Sequence, residues 1–446
     1  MSAPALASLR GRAGSFAACA LSVFFGTVLM TGFTSLIETG QADPVSEVDG
    51  ETLMVMGAVI GSWGVLIVLA AVASTVAITV RQRTTELNHL RVIGATNRQV
   101  RSLVRRETVA VALVATLAGL VPGLLAGRLL LSLVADAGLV SSGIEHRLGV
   151  VTIGAIIVSL LLVAVVASSL AVRQVTRRRA GVTAEPTRLS RVRAIGGVVL
   201  LLGAIGQGVV GSLVASQSDD PFVAMQMLGS LSIVASLGLA LLAPPVVTMT
   251  ARGLAGARGL AGNASHLAAT ALARRSVRAS GALTPIVMFV GVAVGTLGLM
   301  ALHHEFSVGA GDNPDAATVE LLNYVVVGVI ALFAAIMIVT TTTAGVLDRR
   351  IELARLRRIG ASRGDVVRAV TTEAFVLALV GIGLGLAGSL ATVVPFAILT
   401  VDGPLPSSLL WIVLGTALVA IVVTVGAAWS AVRRTVRTSP AVVLAA

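Results

Sequence analysis

Arg81–Glu107 reads RQRTTELNHLRVIGATNRQVRSLVRRE, a short basic stretch between two long apolar runs, and the chain carries it twice. The second copy, RIELARLRRIGASRGDVVRAVTTE at Arg350–Glu373, lies at a constant offset of 266 residues. Glu86 pairs with Glu352, Leu87 with Leu353, Leu90 with Leu356 and Arg91 with Arg357. Ile93, Gly94, Ala95 and Glu107 pair with Ile359, Gly360, Ala361 and Glu373, and no gap is needed. A gapless run of matches of this length marks an internal duplication.

Outward from this stretch the chain is apolar. It has 446 residues, 56% hydrophobic and 12% charged, against about 25% charged in soluble domains. Ten runs are long enough to cross a bilayer as helices: near 16–37, 54–80, 108–134, 149–172, 194–215, 222–250, 282–302, 319–347, 369–397 and 408–431. The first follows Arg10 and Arg12 and exceeds a signal-peptide core, so it reads as an uncleaved span. There is no lysine, and every arginine except Arg128 and Arg147 falls in alternate connections, while most acids fall in the others. This is the positive-inside pattern, and it predicts both termini in the cytoplasm. The net charge of +12 therefore follows membrane topology and does not point to nucleic acid. The single cysteine, Cys19, lies in an apolar run and excludes an intrachain disulfide.

The predicted fold is an all-α polytopic membrane protein of about ten transmembrane helices. Spans one to four form one unit, 1–183, and spans seven to ten another, 264–446. Residues 184–263 hold a linker and two additional spans without a counterpart. An even number of spans separates the units, so the four-helix repeats are expected to be parallel. The approach repeats too, since Arg12-Ala13 precedes span one as Arg278-Ala279 precedes span seven.

Within the repeated stretch, Leu87, Leu90 and Arg91 share a helical face at i, i+3 and i+4, as do Leu353, Leu356 and Arg357. Gly94-Ala95-Thr96 and Gly360-Ala361-Ser362 follow. Glycine stops helices, and Thr or Ser caps the next one. Each unit should present helix, break and helix at the inner surface. Topology alone requires arginine, but it does not require Leu, Gly and Glu in register, so a protein-docking role is expected.

The pattern R-x-x-E-L-x-x-L-R-x-I-G-A-[ST], followed by a Glu at the mouth of the next span, resembles the FtsX-like permeases of ABC transporters. The resemblance covers both units, and the C-terminal Ser439-Pro440-Ala441-Val442 is also similar. It implies that a separate ABC ATPase docks on coupling helices formed by Glu86, Leu87, Leu90, Arg91, Gly94 and Ala95, and by Glu352, Leu353, Leu356, Arg357, Gly360 and Ala361. Two docking segments imply two ATPase copies per chain. ATP and Mg would be bound by the ATPase, and no cofactor by this chain, which has no G-x-x-x-x-G-K-[ST] loop and no visible catalytic constellation. In the lipoprotein-extracting, macrolide-efflux and cell-division members a large outer domain follows the first span, and in bacitracin-type members it follows the seventh. Here both positions carry short loops.

Two function classes follow for this plasma-membrane chain in its lipid: an ATP-driven exporter of a hydrophobic or amphipathic molecule, and a non-transporting signalling or mechanotransmission component. The short outer loops favour the first. An ion-coupled carrier lacks an acidic residue well inside a span. Ser74, Thr75, Thr340 and Thr341, matched between spans two and eight, are candidates for a substrate path, although mid-helix hydroxyls commonly bond back to their own helix. His303-His304-Glu305, at the outer end of span seven, reads as an interfacial cluster and not as a metal site.

Overall fold

The computed structural model describes residues 13–43, 45–82, 89–90, 92–136, 138–176, 191–217, 224, 227–256, 263–307, 316–400 and 405–437. Eleven helices are bounded among them: α1 (Ala13–Gly40), α2 (Glu47–Gln82), α3 (Asn97–Asp136), α4 (Val150–Thr176), α5 (Arg191–Ala215), α6 (Leu231–Gly256), α7 (Asn263–Ser307), α8 (Ala316–Asp348), α9 (Arg350–Arg358), α10 (Arg363–Thr400) and α11 (Ser408–Arg437). The ten predicted spans fall on the ten long helices, and eight of these are long and apolar enough to cross a membrane on their described residues alone. The chain is an all-helical, multi-pass membrane protein. Span six is shorter than its apolar run. Gly229 and Ser230 form a turn, and α6 begins only at Leu231.

Several helices outrun the bilayer. α3 has 40 residues, so at ~1.5 Å per residue it is about twice as long as the ~30 Å hydrocarbon core. Its excess lies at the arginine-rich end. The chain folds as two compact units, Met1–Thr183 with Asp312–Ile330, and Ala184–Gly311 with Ala331–Ala446.

In the first unit α1 packs against α2 and α3, and α4 against α2 and α3. Thr27, Thr31, Ser35 and Thr39, one helical turn apart on α1, are fully buried. They face Gly119, Gly123 and Gly127, spaced the same way on α3. A Cβ at Gly123 would lie 2.6 Å from the Thr31 Cβ, so glycine permits this approach of two membrane helices. Thr27, Ser35 and Thr39 donate to carbonyls of their own helix at 2.7–2.8 Å, while Thr31 Oγ1 is buried without a hydrogen-bond partner. At the end of the unit away from the repeated stretch, the connection between α3 and α4 is fastened down. The Ser141 hydroxyl donates to Asp49 Oδ2 at 2.6 Å, and the Gly149 amide to Glu38 Oε1 at 2.7 Å.

In the second unit α7 and α10 pack along their lengths, with α6 against both. Leu283, Ile286, Val287, Val290 and Val294 of α7 form the core with Leu377, Val380 and Ile382 of α10, Ile338 of α8 and Val247 of α6. The two helices without a counterpart in the repeat are built into this unit. The Ser232 amide of α6 donates to Thr392 Oγ1 of α10 at 2.8 Å, and α5 lies on α6, where Gln207 Nε2 donates to Ser230 Oγ at 2.7 Å. The other side of α5 exposes Val199, Leu202, Ile205, Val209 and Leu213, an apolar face suited to lipid.

Candidate functional site

Over their described residues, both copies of the repeated stretch make the same glycine turn. In the second, α9 stops at Ile359, Gly360 takes φ +106°, and Ser362 precedes α10. The Gly360 amide donates to the Arg357 carbonyl at 3.3 Å, and the Ala361 amide to the Leu356 carbonyl at 3.1 Å. These are the paired bonds of a Schellman stop, whose left-handed position favours glycine. Ser362 and Asp365 then cap the next helix reciprocally. The Ser362 amide donates to Asp365 Oδ2 at 3.2 Å, and the Asp365 amide to Ser362 Oγ at 3.1 Å. In the first copy Gly94 has φ +107°, the Ala95 amide donates to the Leu90 carbonyl at 2.9 Å, and Thr96 and Gln99 form the box. Glu86, Leu87 and Arg91 lie outside the described residues.

The side chains of the second hairpin divide into two sets. Leu353 is 3% exposed and lies in a cluster with Val346, Val366, Val370, Val432 and Val436. Leu356 and Ala361 pack on the edge of that cluster. Arg357 Nη1 donates to the Val436 carbonyl, at the end of α11, at 2.8 Å. Leu353 and Arg357, both expected at a docking surface, also have contacts inside their own unit: they fasten α9 to it, because α9 lays its apolar edge on the bases of α10 and α11. Glu352 lies 3.7 Å from Arg349 Nε, and Glu373 Oε2 2.5 Å from Arg349 Nη1. Burial alone would lower the Arg349 pKa, but Glu373, and after it Glu352, hold it above its ordinary value.

The outward set was only partly anticipated. Ile93 is 84% and Ile359 82% exposed, each just before its positive-φ glycine. Val92 and Ile351 are also exposed, and Leu90 sits at the border of exposure. Arg355 and Arg358 surround the second tip, and His89 and Arg98 the first. Ile93 and Ile359 are the residues that periodicity misses. Their signal is the recurrence of one apolar residue before each glycine. Each tip thus presents an exposed isoleucine on a capped turn.

The membrane-embedded hydroxyls behave differently. Thr75 Oγ1 donates to the Val72 carbonyl at 3.1 Å, Thr340 to Met337 at 3.1 Å and Thr341 to Met337 at 2.7 Å. Each is bonded to its own helix, and the Ser74 side chain lies outside the described residues. Among the described residues no group of three or more His, Cys, Asp or Glu side chains is placed to hold a metal ion.

A family model described as FtsX-like permease C-terminal matches the chain twice, over residues 58–179 and 324–440. Each match contains one hairpin with the long helix before it and the two after it. No curated protein matches the chain.

Proposed function

The chain belongs to the FtsX-like permease family, and from that premise we propose that it is the transmembrane subunit of an ATP-driven ABC transporter that exports a hydrophobic or amphipathic molecule. A separate ABC ATPase, two copies per chain, docks on the hairpins around Gly94 and Gly360. ATP and Mg bind there, and this chain performs no hydrolysis. Both termini and both hairpins lie on the cytoplasmic side of the plasma membrane, as the arginine distribution favours.

The observation that carries this reading is the matched pair of turns, each with a positive-φ glycine and a capping box behind an exposed isoleucine. Moving a two-state permease from 1:99 to 99:1 requires about 5.5 kcal/mol of differential binding. A soft loop would dissipate that work, whereas a turn locked at both ends passes it on. Export suits the outer end of the first unit, where the connection between α3 and α4 is stapled to Asp49 and Glu38 and offers little surface to an outside partner.

Replacing Ile93 and Ile359 together with Asp tests the reading. Membrane insertion should persist, while affinity for the ATPase should fall on the order of tenfold or more, as for a central interface anchor. Normal ATPase affinity in the inserted double variant would remove the hairpins from the docking site.

A further inference from the structure

α9 has nine residues, too few to hold a helix by itself in water, yet a docking element must keep its orientation under load. Its middle is anchored by Leu353 in the cluster, beside the buried Ala354, and its C-terminal end by the bond from Arg357 to the Val436 carbonyl. Its N-terminal end has no side-chain cap. Arg349 occupies that position instead, directly after the last residue of α8. Its guanidinium reaches Glu373 on α10 at 2.5 Å and Glu352 on α9 at 3.7 Å. One side chain thus joins the end of α8, the start of α9 and the base of α10. The Arg349 side chain is 18% exposed and that of Glu373 11%, so this is not a surface pair.

A buried ion pair is a poor source of stability, because desolvation offsets most of its attraction. Its better use is to fix one geometry, and the planar guanidinium with its rigid fork of donors suits that purpose. The sequence repeats all three charges 266 residues earlier, as Arg83, Glu86 and Glu107. A stabilising contact could have been replaced by an apolar one in either copy; the same three charges stand in both.

Resting on the ATPase-driven reading above, we propose that Arg349, Glu373 and Glu352 form the latch that passes motion of α9 to α8 and α10, with Arg349 as a positioning residue and not a docking one. The latch accounts for force at the tip of a nine-residue helix moving two membrane helices at once.

Two measurements on the full-length chain in lipid nanodiscs test it. The first needs no ATPase: a spin label on Ile351→Cys reports the mobility of α9, and the native Cys19 is buried and does not compete for the label. Glu373→Gln should raise label mobility, and the exchange of all three charges, Arg349→Glu with Glu352→Arg and Glu373→Arg, should restore it. The second uses unlabelled chains with the ABC ATPase that co-purifies with the wild type. Glu373→Gln should leave ATPase affinity within about twofold but lower permease-stimulated ATP hydrolysis on the order of tenfold, and the exchange should recover most of it. Should Glu373→Gln fail to insert, the exchange, which keeps every charge opposite its partner, decides alone. Unchanged mobility and hydrolysis in Glu373→Gln, or an exchange that rescues neither, overturns the latch. Loss of affinity in step with hydrolysis overturns it as well, by assigning the pair to docking. A wild-type chain that binds no ABC ATPase takes down the proposed function and the latch together, a result distinct from loss confined to the variants.

Discussion

Leu353 and Ile359 stand six residues apart and face opposite ways, one 3% and the other 82% exposed. Their substitutions should separate cleanly. Leu353→Ala removes a core side chain and should cost about 2–5 kcal/mol of stability, seen as a lowered unfolding temperature in detergent. Ile359→Ala should leave that temperature nearly unchanged, as surface changes usually stay within ~0.5 kcal/mol, and weaken ATPase binding instead. The reverse result would exchange the two roles. The sequence identifies these residues as apolar, but a leucine at i, i+3 spacing does not say whose surface it covers. That is decided by Val432 and Val436, which arrive about eighty residues later at the end of α11. Ile359 escapes notice for a different reason: a single isoleucine before a glycine has no periodicity to reveal it. Arg349 is equally hidden, one of two adjacent arginines in a loop whose charge topology already explains.

At the level of the element, the capping boxes of the two turns differ in one titratable group. Asp365 accepts from the Ser362 hydroxyl and then from its amide, and these bonds hold its pKa below the ordinary carboxylate range. A carboxyl whose folded pKa lies below its unfolded value, about 3.9, stabilises fully above that value and loses its contribution as pH falls through the folded pKa. The first box uses Gln99, which does not titrate. Acidification to about pH 3, below the unfolded value, should therefore loosen the second tip more than the first, read from spin labels at Ile359→Cys and Ile93→Cys. Asp365→Asn should abolish the difference, and equal loosening of both tips would show that the cap is not its source. Gly94→Ala and Gly360→Ala should each cost about 1–2 kcal/mol of hairpin stability. No atom stands within 4 Å of a Cβ at either site, so the cost is one of backbone conformation alone. Turns of this kind are legible in the sequence, because glycine, threonine and serine carry their geometry locally. Helix ends are not. α3 includes Arg98–Glu107, where hydropathy no longer marks it, and α6 starts late because Gly229 and Ser230 interrupt an apolar run that reads as continuous.

At the level of the whole molecule, the duplication predicts both sidedness and stoichiometry. A cysteine at Thr96, exposed beside the first tip, should react with an impermeant maleimide only from the cytoplasmic side, and labelling of intact cells from outside would invert the topology. Native mass spectrometry of the purified complex should give one copy of this chain with two ATPase subunits; two permease chains per complex would refute it. The long helices and their pairing by repeat are readable from ten apolar runs and one offset. The place of α5 and α6 is not, since Ser232, Thr392 and Gln207 are ordinary polar residues in the sequence, and only folding brings them into bonds across helices. The presence of both hairpins in one polypeptide also has a genetic consequence. In a permease assembled from two identical chains, every substitution strikes both arms and a half-coupled machine cannot be made. Under the proposed function, a change of one codon, at Ile93 or Ile359, should silence one arm and leave the other intact, so the question of whether one engaged ATPase suffices for a turnover becomes open to single mutants.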